Sequence, residues 1–309
     1  MNSTQSNSDS LSNRQRNETI MAWVFSAPAI ILLVFFLIIP FIMAFGLSFT
    51  DQRLVPNPNL PTQFIGLRNF VRMLDDEAFL RGILNNFYFV IVVVPIQTSL
   101  ALFLAILVNQ KLKAMTLFRT VYFSPVVTAM VVVSIIWYFL YNPGEGLINE
   151  FINVISFGHL GPYNWLSDTR LVFPAIMLLS IWQGVGFQMV IYLAGLQEIP
   201  DSLYEAAEVD GATKWQQFTN ITIPQLRNTT IFIVLATTIL AFRLFTQVEV
   251  MTQGGPQNAS MTTIVHVIHQ GWGQLKVGYA SAISVVFFLI VLGISLIQRR
   301  FIREDRVVK

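Results

Sequence analysis

The sequence contains no cysteine and only three histidines among its 309 residues. The absence of cysteine excludes disulfides, thiolate zinc sites, cysteine nucleophiles and redox-active thiol pairs. Charged residues are also scarce. They make up 12% of the chain, about half of the share that is typical of a soluble domain, so a soluble enzyme is nearly excluded. The net charge of +2 is too small to indicate nucleic acid as a partner.

Apolar residues, in contrast, are abundant. They form 54% of the chain, and the mean hydropathy is +0.61. Six apolar runs are each long enough to cross about 30 Å of hydrocarbon at about 1.5 Å per helical residue. The runs extend approximately over Trp23–Phe49, Ile83–Val108, Leu117–Tyr141, Leu171–Leu196, Thr229–Val248 and Val277–Ile297. We therefore predict an all-α membrane protein with six transmembrane helices, and a kink at Pro95 or Pro125.

The segments between the runs indicate the domain boundaries and the orientation. Residues 1–20, rich in Ser, Asn and Gln, predict a flexible cytoplasmic tail, followed by a membrane domain over 21–302 and a cytoplasmic tail over 303–309. With both termini inside, Lys and Arg are about twice as frequent on the cytoplasmic side as outside, which agrees with the usual charge bias of inner loops. The first run is too long for a signal peptide and is expected to remain in the mature protein.

The first external loop, from Thr50 to Gly82, mixes apolar and charged residues. Phe70, Val71, Met73, Leu74, Phe79 and Leu80 occur among its Arg and Asp residues. This pattern predicts an amphipathic external helix, which would serve either as an interfacial lid or as a docking surface for an external partner.

The loop between the fourth and fifth runs carries helix start and stop signals. Ser202 is a candidate N-cap with Glu205 at the capping-box position, which predicts a short helix over Leu203–Val209. Gly211 is placed to end that helix in the left-handed conformation, and Ala212–Phe218 is predicted to form a second short helix. The residues alone allow either a solvated hairpin or a surface for another protein.

Residues 199–224 also carry a family motif. They closely resemble the EAA loop in the membrane subunits of bacterial binding-protein-dependent ABC importers. The matching positions are Glu205, Ala206, Ala207, Asp210, Gly211, Ile221 or Ile223, and Pro224. Two further segments are similar to carbohydrate permeases of the maltose, lactose and glycerol-phosphate type: MTQGGPQNASM at residues 251–261, and Gly278–Ala282 at the start of the last run.

The resemblance implies a type I ABC importer permease in the bacterial inner membrane, with residues 199–224 as the coupling loop. Glu205, Ala206, Ala207, Asp210 and Gly211 would contact a cytosolic ATPase. The chain has no Gly-x-x-x-x-Gly-Lys-Ser/Thr loop of its own, so ATP and Mg²⁺ are expected on the partner and no cofactor on this chain. The implied partners are a second, homologous permease, two ATPase subunits, an extracytoplasmic solute-binding protein and membrane lipid.

Polar residues inside apolar runs mark either a water-filled path or interhelical packing. Together with the resemblance, they indicate candidate solute-path residues in the fourth and fifth runs. These are Gln183, Gly184, Phe187, Gln188, Thr237, Leu240, Ala241, Arg243, Leu244 and Gln247. Aromatic rings beside amides suit a neutral polyol, but Ala241 and Leu244 stand where the maltose-type subunit has amides, so maltose itself is not indicated.

Arg243 has three possible roles on the sequence alone. It could bind a hydroxyl or an anionic group of the solute, extend to the membrane interface, or pair with Glu249.

Other functional classes fit the sequence less well. No Asp or Glu lies at mid-membrane, where an ion-coupled secondary transporter would need one, and a channel would not explain the coupling loop. His266 and His269 are three residues apart without a third candidate metal ligand, and no nucleophile constellation indicates an enzyme. The main alternative is a permease for another solute class, such as phosphorylated polyols, amino acids or peptides.

Overall fold

The computed structural model describes residues 3–55, 59, 61–110 and 115–301. Within these ranges the regular structure is helical, apart from an isolated antiparallel bridge between Thr50 and Phe64. The helices are α1 Ser3–Leu33, α2 Ile39–Leu47, α3 Arg68–Met73, α4 Glu77–Val108, α5 Met115–Val127, α6 Met130–Leu140, α7 Leu147–Ile155, α8 Val172–Gln197, α9 Asp201–Val209, α10 Lys214–Gln217, α11 Ile223–Gln225, α12 Arg227–Phe242, α13 Thr246–Met251, α14 Thr263–Ile268 and α15 Val277–Phe301. Wider π turns occur at Val34–Ile38, Phe218–Thr222 and His269–Gly273.

Five helical segments of the described chain have the length and hydropathy of membrane spans. They are Glu18–Leu47, Glu77–Val108, Val172–Gln197, Arg227–Met251 and Val277–Arg300. These segments confirm five of the predicted spans, with ends that differ by a few residues. The all-helical membrane fold class is therefore confirmed.

The third apolar run, predicted as one span with Pro125 as one of two candidate kink sites, is bent near Pro125 and consists of two helices. Its two helical parts, Leu117–Val127 and Met130–Leu140, meet at an angle of 98°. The chain leaves helical geometry at Ala129, where ψ is 129°. Pro125 lacks the N–H that would bond to the carbonyl of Val121, and the Ser124 hydroxyl donates to that carbonyl instead, at 3.2 Å. Proline therefore weakens the helix just before the bend.

The predicted tails have different outcomes. Helix α1 begins at Ser3, so the backbone is helical within the segment 1–20 that the sequence predicts as a flexible tail. Its flexibility and its cytoplasmic location stay predictions. The tail predicted over 303–309 lies outside the described residues.

The first external loop, Thr50 to Gly82, contains one short helix. Helix α3 ends at Met73, whereas Phe79 and Leu80 belong to the second span, which begins at Glu77 rather than Ile83. The reason is a cap: the Asp76 carboxylate accepts a hydrogen bond from the Phe79 backbone N–H at 3.1 Å, which stabilises an additional helical turn outside the apolar run.

Helices α4 and α8 form the centre of the bundle, and α12 packs against both. Their buried contact faces consist of aliphatic and aromatic side chains. Glycine permits the closest approach: a Cβ atom at Gly186 would lie 2.0 Å from the backbone carbonyl oxygen of Tyr122, so α5 lies directly against α8. Helix α15 closes the other side through α3 and α14. This packing positions the cavity described next.

Candidate functional site

A cavity of about 530 Å³ lies between α4, α8 and the α12–α13 segment. All ten residues predicted for the solute path line it, namely Gln183, Gly184, Phe187, Gln188, Thr237, Leu240, Ala241, Arg243, Leu244 and Gln247. The structure thus brings together residues that are up to about 60 positions apart in the sequence. Their contact with a solute stays a prediction.

Two of the predicted amides also connect helices. The Gln188 Nε2 atom donates to the Thr237 hydroxyl at 2.8 Å, and Gln247 Nε2 donates to the Ser180 hydroxyl at 3.0 Å. Gln188 is only 2% exposed. Because these bonds link α8 to α12 and α13, Gln188 and Gln247 contribute to interhelical packing as well as to the cavity wall.

Gln97, on α4, also lines the cavity and was not predicted from the sequence. A Cβ atom at Gly184 would lie 2.1 Å from the Gln97 Nε2 atom, so the amide fits the space that this glycine leaves. The signal was available: Gln97 is a polar residue inside an apolar run, the same criterion that identified Gln183. Ser180 and Thr246, polar residues of the fourth and fifth runs, line the cavity as well and were not among the ten candidates.

Arg243 lies at the break between α12 and α13, and its side chain is exposed towards the cavity. The proposed pairing with Glu249 is wrong. The Glu249 carboxylate is instead 3.3 Å from the His269 Nε2 atom, and within the described ranges the Arg243 guanidinium has no ion-pair partner. The arginine therefore remains available to a ligand in the cavity.

The coupling loop contains the two short helices that the sequence predicts, but their caps differ. Helix α9 begins at Asp201, after Pro200 as N-cap and without a side-chain cap bond. The prediction of a capping box between Ser202 and Glu205 is therefore wrong, because Ser202 lies inside the first turn of α9. The left-handed conformation of Gly211 is confirmed by its φ of +74°.

The second helix of this loop, α10, spans Lys214–Gln217 rather than Ala212–Phe218. A real capping box starts it: the Thr213 N–H donates to Gln216 Oε1 at 2.7 Å, and the Gln216 N–H donates to the Thr213 hydroxyl at 3.3 Å. The Thr-x-x-Gln spacing that signals such a box was present in the sequence. The π turn at Phe218–Thr222 then continues towards Pro224.

The tip of the coupling loop is exposed and partly apolar. Val209 is 88% exposed and Trp215 is 71% exposed, while Glu205 and Ala206 are also on the surface. At the base of the loop, the Tyr204 hydroxyl lies 2.9 Å from the Thr222 hydroxyl and fixes α9 to the second half of the hairpin. An exposed tryptophan beside small side chains is typical of a surface that binds another protein.

An ion pair between Glu208 and Lys214 crosses the hairpin. The hydrogen bond from Lys214 and its positive charge lower the pKa of Glu208. Because both groups are exposed, the pair orders the turn rather than stabilising the fold.

Two adjacent asparagines near the start of α4 bind residues 251–261, which contain the Gly-Gly-Pro sequence and are called the Gly-Gly-Pro loop, and the helix ends that flank this loop. Asn86 is fully buried; its Oδ1 accepts from the Thr263 N–H and hydroxyl, both at 3.0 Å, and its Nδ2 donates to the Phe242 carbonyl at 3.2 Å. Asn85 Nδ2 donates to the Met261 carbonyl at 2.8 Å. This role was not predicted from the sequence, because asparagine bonds to distant backbone leave no local pattern.

A second polar cluster lies at the same end of the bundle. The Asp76 carboxylate accepts a bond from the Tyr279 hydroxyl at 2.6 Å, and His266 Nε2 lies 3.0 Å from it. Burial alone would raise the pKa of Asp76, but the bonds from Tyr279 and the Phe79 N–H, with the nearby His266, outweigh this effect and lower it. His266 therefore faces Asp76, whereas His269 faces Glu249. Among the described residues, no group of three or more His, Cys, Asp or Glu side chains could hold a metal ion.

Comparisons with known proteins agree with this arrangement. The family model described as "Binding-protein-dependent transport system inner membrane component" matches residues 76–306. The probable ABC transporter permease protein YurN of Bacillus subtilis (strain 168) is 35% identical, over 93% of this chain and 97% of that protein. The lactose transport system permease protein LacF of Rhizobium radiobacter is 33% identical, over 96% and 99%.

A solved structure has the same fold. It is the crystal structure of a bacterial ABC transporter involved in the import of the acidic polysaccharide alginate. One of its chains matches with a TM-score of 0.79 and 24% identity, and the match covers 96% of this chain and 100% of that one.

Proposed function

The chain belongs to the family of binding-protein-dependent transport system inner membrane components, and we propose that it forms one half of the path by which an ATP-driven importer moves a sugar or polyol into the cell. The other half would be a second, homologous permease. We place both termini and the coupling loop on the cytoplasmic side of the membrane and the Gly-Gly-Pro loop on the outer side.

The observation that carries this proposal is the meeting of all ten candidate residues at one cavity. Its volume of about 530 Å³ is within the range of small-molecule sites and suits one to two sugar rings. Amides, a threonine and Phe187 are available there to hydroxyl groups and to the C–H faces of a ring. The relative LacF is named for lactose transport, which supports a carbohydrate as the solute class.

The coupling loop supports an ATPase as the cytosolic partner. It connects α8 to α12, and both helices line the cavity. Gln188 and the end of α8 at Gln197 are nine residues apart, or about 14 Å along the helix axis. A movement of the loop would therefore be transmitted to both walls through rigid helices. ATP and Mg²⁺ would be bound by that partner.

The proposal is tested by purifying the permease from membranes in which the neighbouring transport genes are co-expressed. We expect an ATPase to copurify, and ATP-dependent sugar uptake in proteoliposomes to require the solute-binding protein. Glu205→Lys, in the coupling loop, should reduce the recovered ATPase several-fold without affecting membrane insertion.

Glu145→Lys is the matched control, because Glu145 is an exposed acid at the opposite end of the bundle. It should leave ATPase recovery unchanged. Full uptake by the Glu205→Lys variant, or stable assembly without any ATPase, would contradict the proposal.

A further inference from the structure

The charged side chains that line the cavity and a neighbouring cleft are all of one sign. Besides the cavity, a second cleft of about 430 Å³ opens at the end of the bundle where α4 and α8 begin. Arg81 and Arg170 line this cleft, and Arg243 lines the cavity. Among the described residues, neither lining includes Asp, Glu or Lys.

The cleft and the cavity follow one another along α8. Phe173 lines the cleft, and Ser180 and Gly184 line the cavity. These residues follow one another at spacings of seven and four, so they form a single helical stripe. On α4, Arg81 of the cleft is eight residues from Phe89 of the cavity, which places it about 12 Å outward along the axis. The cleft is therefore an outer vestibule beside the cavity.

The three guanidinium groups have no carboxylate of their own. No ion pair in the described part of the chain includes Arg81, Arg170 or Arg243. The acids nearest in sequence to Arg170 and Arg81 are Asp168 and Glu77, and neither lines the cleft. Asp168 instead accepts a bond from the Arg170 backbone N–H at 2.7 Å. A charge in or near a low-dielectric region is costly unless a counter-charge accompanies it.

A vestibule and cavity with only positive charge concentrate anions and repel cations. Guanidinium groups also bind carboxylate and phosphate oxygens through paired, charge-assisted hydrogen bonds. We propose that the transported carbohydrate carries a carboxylate or phosphate group, which Arg81 and Arg170 attract at the outer cleft and Arg243 binds in the cavity. This inference rests on the proposed function and narrows its solute class.

The experiment compares acidic and neutral forms of the same carbohydrates in proteoliposomes that contain the complete importer and its binding protein. Suitable pairs are digalacturonate with galactobiose and glycerol 3-phosphate with glycerol, within a wider panel of mono- and disaccharides. We expect ATP-driven uptake of acidic members only. Arg243→Gln should raise the concentration for half-maximal uptake about 10- to 100-fold, as expected for loss of a charge-assisted bond.

Arg81→Gln and Arg170→Gln test the outer cleft. Each variant should slow solute uptake at low ionic strength, because the attraction between the cleft and an anionic solute is weaker. Uptake should also depend less on added salt, since salt acts by screening that attraction. Arg68→Gln is the control: Arg68 is exposed on α3 and lines neither cavity nor cleft, so its uptake should match that of the unmodified chain.

Two outcomes would overturn the inference: uptake of the neutral member of a pair at an equal rate, or unchanged half-maximal concentration in Arg243→Gln. Uptake of neutral sugars would leave the proposed function intact. Absence of uptake for every carbohydrate in the panel would contradict both.

Discussion

The turn at Gly211 offers a sharp test of the coupling loop, because its effect arises from the backbone alone. Gly211 has φ +74°, and a Cβ atom built there would meet nothing within 4 Å. A side chain at this position would therefore cause no clash, but the left-handed conformation costs a non-glycine residue about 1–2 kcal/mol. For a β-branched residue such as valine, the cost lies at the upper end of that range or above it.

Gly211→Val should accordingly shift the turn away from its native geometry. The bonds from the Gly211 N–H to the Glu208 carbonyl and from the Ala212 N–H to the Ala207 carbonyl, at 3.1 and 2.8 Å, require this conformation. A cost of 1–2 kcal/mol corresponds to a factor of about 5–30 in the population of the native turn. If the ATPase binds only that turn, its apparent affinity should fall by about the same factor.

The assay is titration of the detergent-solubilised permease pair with the purified ATPase, together with solute uptake in proteoliposomes. Gly211→Asn should bind nearly normally, because asparagine tolerates the left-handed region. Gly293→Val controls for the added side chain: Gly293 lies in α15, has no positive φ and has equally open surroundings. Normal ATPase affinity and uptake in Gly211→Val would refute the reasoning.

Three further predictions concern the cavity and the polar clusters. Gly184→Ala should impair solute uptake but leave the melting temperature nearly unchanged, because the new methyl group displaces only the flexible end of Gln97. In Gly186→Ala the methyl group would lie 2.0 Å from the Tyr122 backbone carbonyl oxygen, so this variant should have a lower melting temperature. Asn86→Leu leaves a buried carbonyl and a buried N–H unpaired and should reduce the free energy of unfolding by about 2–5 kcal/mol, measured by thermal denaturation in detergent; an unchanged melting temperature would contradict the role of this amide. Because the pKa of Asp76 is lowered in the folded state, the contribution of this carboxylate to stability should be complete above about pH 5. It should decline as the pH falls through the lowered pKa. Asp76→Asn should therefore weaken the dependence of the melting temperature on pH in the acid range.

Much of the fold could be predicted from the sequence, because the apolar runs are long and uninterrupted by charge. The start of the second span was predicted less well. Asp76 extends this span outward by capping it, and hydropathy, which measures only the length of an apolar run, does not detect a cap. Proline, in contrast, is visible in the sequence: Pro125 was one of the two predicted kink sites, and the third run bends just after it.

The candidate site was predicted well from the family resemblance and less well from polarity alone. All ten residues meet at one cavity, yet Gln97 and the Asn86 bonds were missed. Gln97 could have been found, since it is a polar residue inside an apolar run. The Asn86 bonds depend on contacts between helices that are remote in sequence, and such contacts leave no periodic signal. The capping box at Thr213 could have been found, since its spacing is local.

The central claim, that the coupling loop transmits the work of a separate ATPase, is tested most directly by site-specific cross-linking. The native chain has no cysteine, so Val209→Cys introduces a single thiol at a side chain that is 88% exposed. In the assembled importer we expect this thiol to cross-link to the ATPase subunit and to be inaccessible to a membrane-impermeant maleimide added outside the cell. A thiol that forms no ATPase cross-link and reacts with the external reagent would contradict the account.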